Sequence, residues 1–391
     1  MKKKSPSYIC VHSEEGNRKH SNAVVTPVFN TTTYSFKDLP ELKRYIEGDR
    51  SLYLYSRYTN PTVEDIEHKL AALEGGEDCV VLSSGMGAAS TALLNLVRAG
   101  DHLVSTPVLY GGVFSLLTII MKNAGLNYDF AESSQPEDIR RALTPDTRII
   151  YTETPTNPNL NVVDLAALAE VAHRAGCLLV VDSTFGTPIN QNPIELGADV
   201  VIHSGTKYLS GHSDLVCGAL IASRELCSQF REYRKFLGTN LDPQAAFLFA
   251  RGLKTLALRV EKQNANGLRV AQYLESLPQV KKVRYPGLES SPTYEIAQRQ
   301  MRGFGGMVCF EIEGGLEMVG RIIERLQIFI NATSLGSVES LVSIPVLTSH
   351  IHYSPEELVK ADVNDSMIRL SCGIEDAEEL IADLEQALAI L

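Results

Sequence analysis

Lys207 lies in the stretch VIHSGTKYLSGHSD (201–214), among serines, glycines, a threonine and two histidines. A lysine ordinarily belongs on a solvated helix face, yet this one follows a run that reads as a buried strand. A primary amine in that setting can form an imine with an aldehyde. Two more polar clusters close apolar runs in the same way. SSGMG (83–87) ends one strand-like run and opens a helical one, and VVDST puts Asp182 at the end of another. Each cluster alone also reads as turn or capping chemistry. Together they fall where open α/β sheets bind ligands, at the carboxyl ends of the strands.

GMGAAS (85–90) resembles part of a dinucleotide fingerprint. A nucleotide-binding oxidoreductase would then need an acidic residue at the end of the next strand, to hold the ribose. That strand, DHLVSTP, has its only acid, Asp101, at its start, which disfavours a full dinucleotide. A single phosphate remains well suited, because free amides and the helix dipole both favour an anion there. A lysine, a strand-end aspartate and a phosphate cradle together point to pyridoxal phosphate. The lysine can form an imine with its aldehyde, and the aspartate can keep the pyridine nitrogen protonated. Ser204 and Thr206 can complete the phosphate site, and Tyr110 offers a flat face to the ring.

The elements that must position these groups alternate from about 62 to 222. Strand-like CVVLSSG, DHLVSTP, TRIIYTE, CLLVVDST, ADVVIHSG and VCGALIAS are interleaved with helical segments such as VEDIEHKLAALEGG and DLAALAEVAHRAG. Continuous apolar strands between helices predict a mostly parallel sheet covered on both faces, a three-layer α/β domain. A long helical stretch is expected from about 243 to 277, followed by a smaller α+β domain with strand-like GMVCFEIEGG, IFINATSLG and MIRLSCG. The expected division is an arm over residues 1–60, a large cofactor domain over 61–257 and a small domain over 258–391.

Composition sets the outer limits. The chain has 391 residues, a formal charge of −11, 44% apolar and 21% charged residues, which fits a globular protein. The acidic balance argues against nucleic acid and against an anionic membrane surface. MKKKSPSYIC carries no apolar core of a signal peptide, and no run approaches the length of a membrane helix. Seven scattered cysteines without a C-x-x-C pair suit free thiols in a reducing cytoplasm. No metal motif surrounds His203, His212, His350 or His352, so capping or hydrogen bonding is their expected role.

Motifs along nearly the whole chain carry a resemblance. They are YSRYTNPT (55–62), SSGMGA (83–88), LYGG (109–112), TETPTNP (152–158), VVDSTFGTP (180–188), HSGTKYLSGHSD (203–214), RGLKTLALR (251–259), SLGSVESL (334–341) and RLSCGIED (369–376). The chain resembles the Cys/Met-metabolism pyridoxal-phosphate enzymes, which have the type I, aspartate-aminotransferase-like fold and include cystathionine γ-lyase, cystathionine γ-synthase and methionine γ-lyase. The resemblance implies that Lys207 carries the cofactor, Asp182 meets its ring nitrogen and Tyr110 stacks on the ring. It implies that Gly85, Met86, Ser204 and Thr206 bind phosphate, and that Tyr55 and Arg57 reach the phosphate of a neighbouring subunit. Arg369 would clamp the substrate carboxylate, with Asn157, Thr333 and Ser334 also on the substrate side. An active-site-sharing dimer, usually paired into a tetramer, is implied as well.

The implied activity is γ-elimination from cystathionine, homocysteine or methionine-type substrates to a 2-oxo acid, ammonia and a thiol. The alternative is γ-replacement on an O-acylhomoserine. Four positions depart from common family residues: Ser183 for asparagine, Val113 for threonine, Gly112 for the cysteine of methionine γ-lyases, and Thr333 for a glutamate that reads a distal amino group.

Overall fold

The computed structural model describes residues 4–12, 22–351 and 353–391; His352 and the arm segment 13–21 lie outside them. Seven strands form the first sheet in the order β1-β7-β6-β5-β4-β2-β3. They are β1 (Asp78–Leu82), β2 (His102–Ser105), β3 (Asn127–Phe130), β4 (Thr147–Glu153), β5 (Leu178–Asp182), β6 (Val200–Ser204) and β7 (Gly218–Ala222). From β3 to β6 the neighbours run parallel. The central residues of β2, β4, β5 and β6 are fully buried, as a sheet covered on both faces requires. Two apolar clusters flank it. Ile66, Leu70, Val181 and Phe249 lie in one, and Leu93, Leu117, Val180 and Leu220 in the other.

The sheet is mostly parallel, with one exception to the parallel pattern expected for these strands. β7 is antiparallel to both β6 and β1. No helix lies between β6 and β7, so the chain turns back instead of crossing over.

The second sheet has five strands, ordered β10-β11-β12-β9-β8. These are β8 (Val280–Arg284), β9 (Met307–Ile312), β10 (Ile330–Asn331), β11 (Leu341–Ser343) and β12 (Met367–Ser371). Only Ile330–Asn331 of the strand-like run IFINATSLG is paired. The long helical stretch resolves into two helices, Pro243–Leu253 and Leu256–Glu275. The second helix serves both halves. Leu256 and Val260 enter the core under the first sheet, while Val270, Ala271 and Leu274 enter the core of the second.

Capping follows the sequence closely. Asn60 accepts from the Thr62 amide and Pro61 opens the helix Pro61–Glu74, which Gly75 ends in the left-handed region at φ 73°. Glu67 of that helix is fully buried and pairs with Arg231 and Arg234, and the two arginines also donate to the carbonyls of Cys79 and Val81 on β1. These charge-assisted bonds hold helix and sheet edge together. All seven cysteines are buried thiols. Among the described residues no helix is long and apolar enough to cross a membrane.

Candidate active site

The carboxyl ends of β4, β5 and β6 open into a cavity of about 770 Å³. Lys207, Asp182, Tyr110, Asn157, Arg369, Thr333, Gly85, Met86, Ser204 and Thr206 all line it. Thus residues from 85 to 369 in sequence converge on one space.

Lys207 follows β6, and its Nζ lies 3.0 Å from the Ser334 hydroxyl. Burial, with Arg369 as a lesser cause, pulls its pKa down to about 8. The amine is therefore far closer to its nucleophilic, neutral form than an exposed lysine. Asp182 ends β5. Its Oδ1 accepts the Thr184 amide at 2.9 Å, and the Thr184 hydroxyl accepts the Ser204 amide at 2.8 Å. Thr184, not singled out from sequence, thereby ties the Asp182 turn to the β6 end. Burial raises the Asp182 carboxyl above its ordinary value, opposed by the Thr184 bonds and by His203.

The anion cradle is built from the turn before the helix Gly85–Leu96. Ser84 caps it by accepting from the Gly87 amide. The Ala88 amide returns to the Ser84 carbonyl. The amides of Gly85 and Met86 have no such return, so both can meet an anion. Gly85 is required sterically, because a Cβ there would sit 2.7 Å from Ser204 Cβ. Thr206 is partly committed, since its hydroxyl accepts the Cys217 amide at 3.0 Å and donates to the Cys217 carbonyl at 3.2 Å.

Arg369, in the middle of β12, is buried and donates to Asn157 Oδ1 at 2.8 Å. It forms no ion pair among the described residues. A guanidinium that lines a cavity and has no acid beside it could take a carboxylate there. Tyr110 also lines the cavity and is half exposed. A Cβ at Gly112 would come 2.5 Å from the Tyr110 ring and 2.8 Å from Met86 Sδ, so glycine gives that ring its room.

Tyr55 and Arg57 do not line this cavity. Arg57 donates to the Lys235 carbonyl and lies 5.1 Å from the Tyr58 ring centroid. The histidines take bonding roles. His203 pairs with the buried Glu74, His212 Nδ1 meets the Ser210 carbonyl, and His350 Nδ1 meets the Ser349 hydroxyl. Glu153, Phe185 and the segment 347–351 also line the cavity without having been singled out. Glu153 had one available signal: it ends an apolar strand, as Asp182 does.

These groups fit pyridoxal phosphate. An amine with depressed pKa, a strand-end carboxylate, two free helix amides and an aromatic face share one cavity of adequate size. Comparison with known proteins agrees. Residues 7–389 match the model of the Cys/Met metabolism PLP-dependent enzyme family. The L-methionine γ-lyase of Treponema denticola is 41% identical over 97% of this chain and 95% of its own. The cystathionine γ-lyase of Bacillus subtilis is 41% identical over 99% of both chains. The crystal structure of cystathionine γ-lyase from Lactobacillus plantarum complexed with L-serine superposes with TM-score 0.93, at 34% identity over 99% of both chains. The chain belongs to the Cys/Met metabolism family of enzymes, and pyridoxal phosphate is its cofactor.

Proposed function

We propose that this enzyme breaks the Cγ–S bond of sulfur amino acids by γ-elimination, releasing a 2-oxo acid, ammonia and a thiol. The observation that carries this reading is the composition of the cavity. The Lys207 amine, the Arg369 guanidinium and Tyr110 share it with the apolar side chains of Val216, Leu335, Leu347 and Ile351. These side chains are apolar, and Thr333 in the same lining is neutral, which suits a thioether or thiol side chain. The same neutral lining would accept an acyl leaving group, which keeps γ-replacement on an O-acylhomoserine as the second reading. Seven buried thiols are consistent with work in a reducing cytoplasm.

Gly85, Met86, Ser204 and Thr206 would hold the phosphate, Asp182 the ring nitrogen, and Tyr110 one face of the ring. Bound there, the cofactor supplies an aldehyde for the substrate amine and a ring that withdraws electrons from the α and β carbons. Arg369 takes the substrate carboxylate in its fork, steadied by Asn157. Lys207 Nζ moves the protons of Cα and Cβ, and Ser334 holds that amine in place. The Tyr110 hydroxyl delivers a proton to the departing sulfur.

Cofactor capture should follow the state of Lys207. Only the neutral amine attacks an aldehyde, and its pKa is down at about 8. In the cofactor-free protein the capture rate should rise with pH and level off above about 8. A rate still climbing steeply towards pH 10, near the ordinary lysine value of about 10.4, would contradict the depressed pKa.

Substrate choice tests the reaction. A glutamate at 333 could pair with a distal ammonium, whereas threonine offers a neutral hydroxyl. Thr333→Glu should shift kcat/KM toward cystathionine, over homocysteine or methionine, by ~1–2 kcal/mol. A panel quantifying 2-oxobutanoate, thiol and cystathionine also separates elimination from replacement. A wild type confined to cystathionine, with the glutamate variant unchanged, would remove Thr333 as the determinant.

The active unit is proposed to be a dimer, with Tyr55 and Arg57 completing a neighbour's phosphate site, and a tetramer of two such dimers. Their absence from the lining of this chain's own cavity supports that assignment. Mixing inactive Arg57→Ala and Lys207→Ala proteins under proven subunit exchange should restore part of the activity. Absence of rescue would place Arg57 outside the shared site.

A further inference from the structure

Glu153 ends β4 directly beside Asp182, its partner in the parallel register of β4 and β5. It lines the same cavity and is only 5% exposed. Its Oε1 accepts the Tyr110 amide at 2.7 Å, and its other oxygen has no hydrogen-bond partner among the described residues. The groups that bear on it electrostatically are the Asp182 carboxylate on β5, the Tyr151 phenol on its own strand and the Tyr353 phenol from the loop after residue 351. Among the described residues no cation pairs with it. The effect of Arg369 falls on Lys207, and that of His203 on Asp182.

Two buried carboxyl groups side by side without a counter-ion cannot both ionise cheaply. Asp182 has the better claim to the charge, since its Oδ1 accepts the Thr184 amide and His203 favours its ionised form. Glu153 has one amide bond only, and burial, then Asp182, push its carboxyl well above the usual range. The proton therefore belongs on Glu153.

Resting on the reading of this cavity as the cofactor and substrate site, we propose that Glu153 is a positioning residue acting as an uncharged carboxylic acid. It fixes the Tyr110 turn through Oε1, leaves Asp182 as the one negative charge of that floor, and keeps a single O–H for the cavity. An ionised carboxylate would be an acceptor only. A neutral acid and a glutamine amide each offer one acceptor oxygen and a donor.

The test compares wild type, Glu153→Gln and Glu153→Leu. In the infrared, the difference between wild type and Glu153→Gln at neutral pH should contain the carbonyl stretch of a protonated carboxyl group. Glu153→Leu leaves the Tyr110 amide unpaired, which should lower kcat by roughly ten- to a hundredfold. Glu153→Gln should recover kcat to within about threefold of wild type, as its matching donor and acceptor allow. A carboxylate band in place of the protonated one, or a glutamine variant as slow as the leucine variant, would overturn the proposal. Should the leucine variant fail to fold, the infrared difference decides. The band is read with and without cofactor, so a protein that took up no pyridoxal phosphate would defeat the proposed function and leave the result on Glu153 standing.

Discussion

Lys207→Ala is expected to fold, to hold no covalent cofactor and to lose kcat by roughly 10²–10⁴-fold, the range for removing a positioned acid–base group. The reasoning starts at the side chain. Lys207 follows a buried strand by three residues, its amine is anchored at 3.0 Å to the Ser334 hydroxyl, and burial brings its pKa down to about 8. Among the described residues no other lysine lines the cavity, so none of them can take over the carbonyl chemistry or the proton transfers. Small exogenous amines should restore part of the rate, because the cavity left by the side chain is open to them. Full activity in the alanine variant would remove Lys207 from the chemistry.

Arg369→Ala is the second large effect. The guanidinium is buried, donates to Asn157 at 2.8 Å and has no acidic partner among the described residues. Truncating one partner of a buried charged contact costs about 2–5 kcal/mol. That lowers kcat/KM by about 30-fold to several thousand-fold. Arg369→Lys should recover little, since an ammonium lacks the planar fork. Thermal stability discriminates this role from a structural one. Removing a buried cation that has no counter-charge should leave Tm nearly unchanged, while loss of a structural ion pair would lower it. Substrates whose carboxylate is replaced by a carboxamide should separate the proteins too: wild type rejects them, and the alanine variant hardly distinguishes them.

Much of this site is written in the sequence because one local rule places it. Apolar runs ending in polar residues put Asp182, Ser204 and Lys207 on one rim, and a serine-capped glycine turn puts Gly85 and Met86 there. What lies beyond local pattern was not legible. β3, Asn127–Phe130, is half exposed at the sheet edge and shows no apolar run. The direction of β7 is invisible to periodicity, since GALIA is an unbroken small and apolar run with no pattern to orient it. Two walls of the cavity come from far along the chain: Arg369 from β12, and the segment 347–351, whose Ser349 carbonyl would lie 2.2 Å from a Cβ at Gly111. Arg369 was reached through a motif, whereas that segment has no periodicity to betray it. Glu153 shows a different limit. Its position at a strand end was visible, but its significance comes from Asp182 lying alongside, and pairing register is a property of the sheet.

The central claim is that Lys207 carries pyridoxal phosphate at the carboxyl ends of β4, β5 and β6, and peptide mapping after borohydride reduction of the yellow protein tests it most directly. The account predicts a single cofactor-bearing peptide, the one containing Lys207, and no trapping in Lys207→Ala. A cofactor fixed to any other lysine, or a protein that stays colourless when pyridoxal phosphate is added, would contradict it.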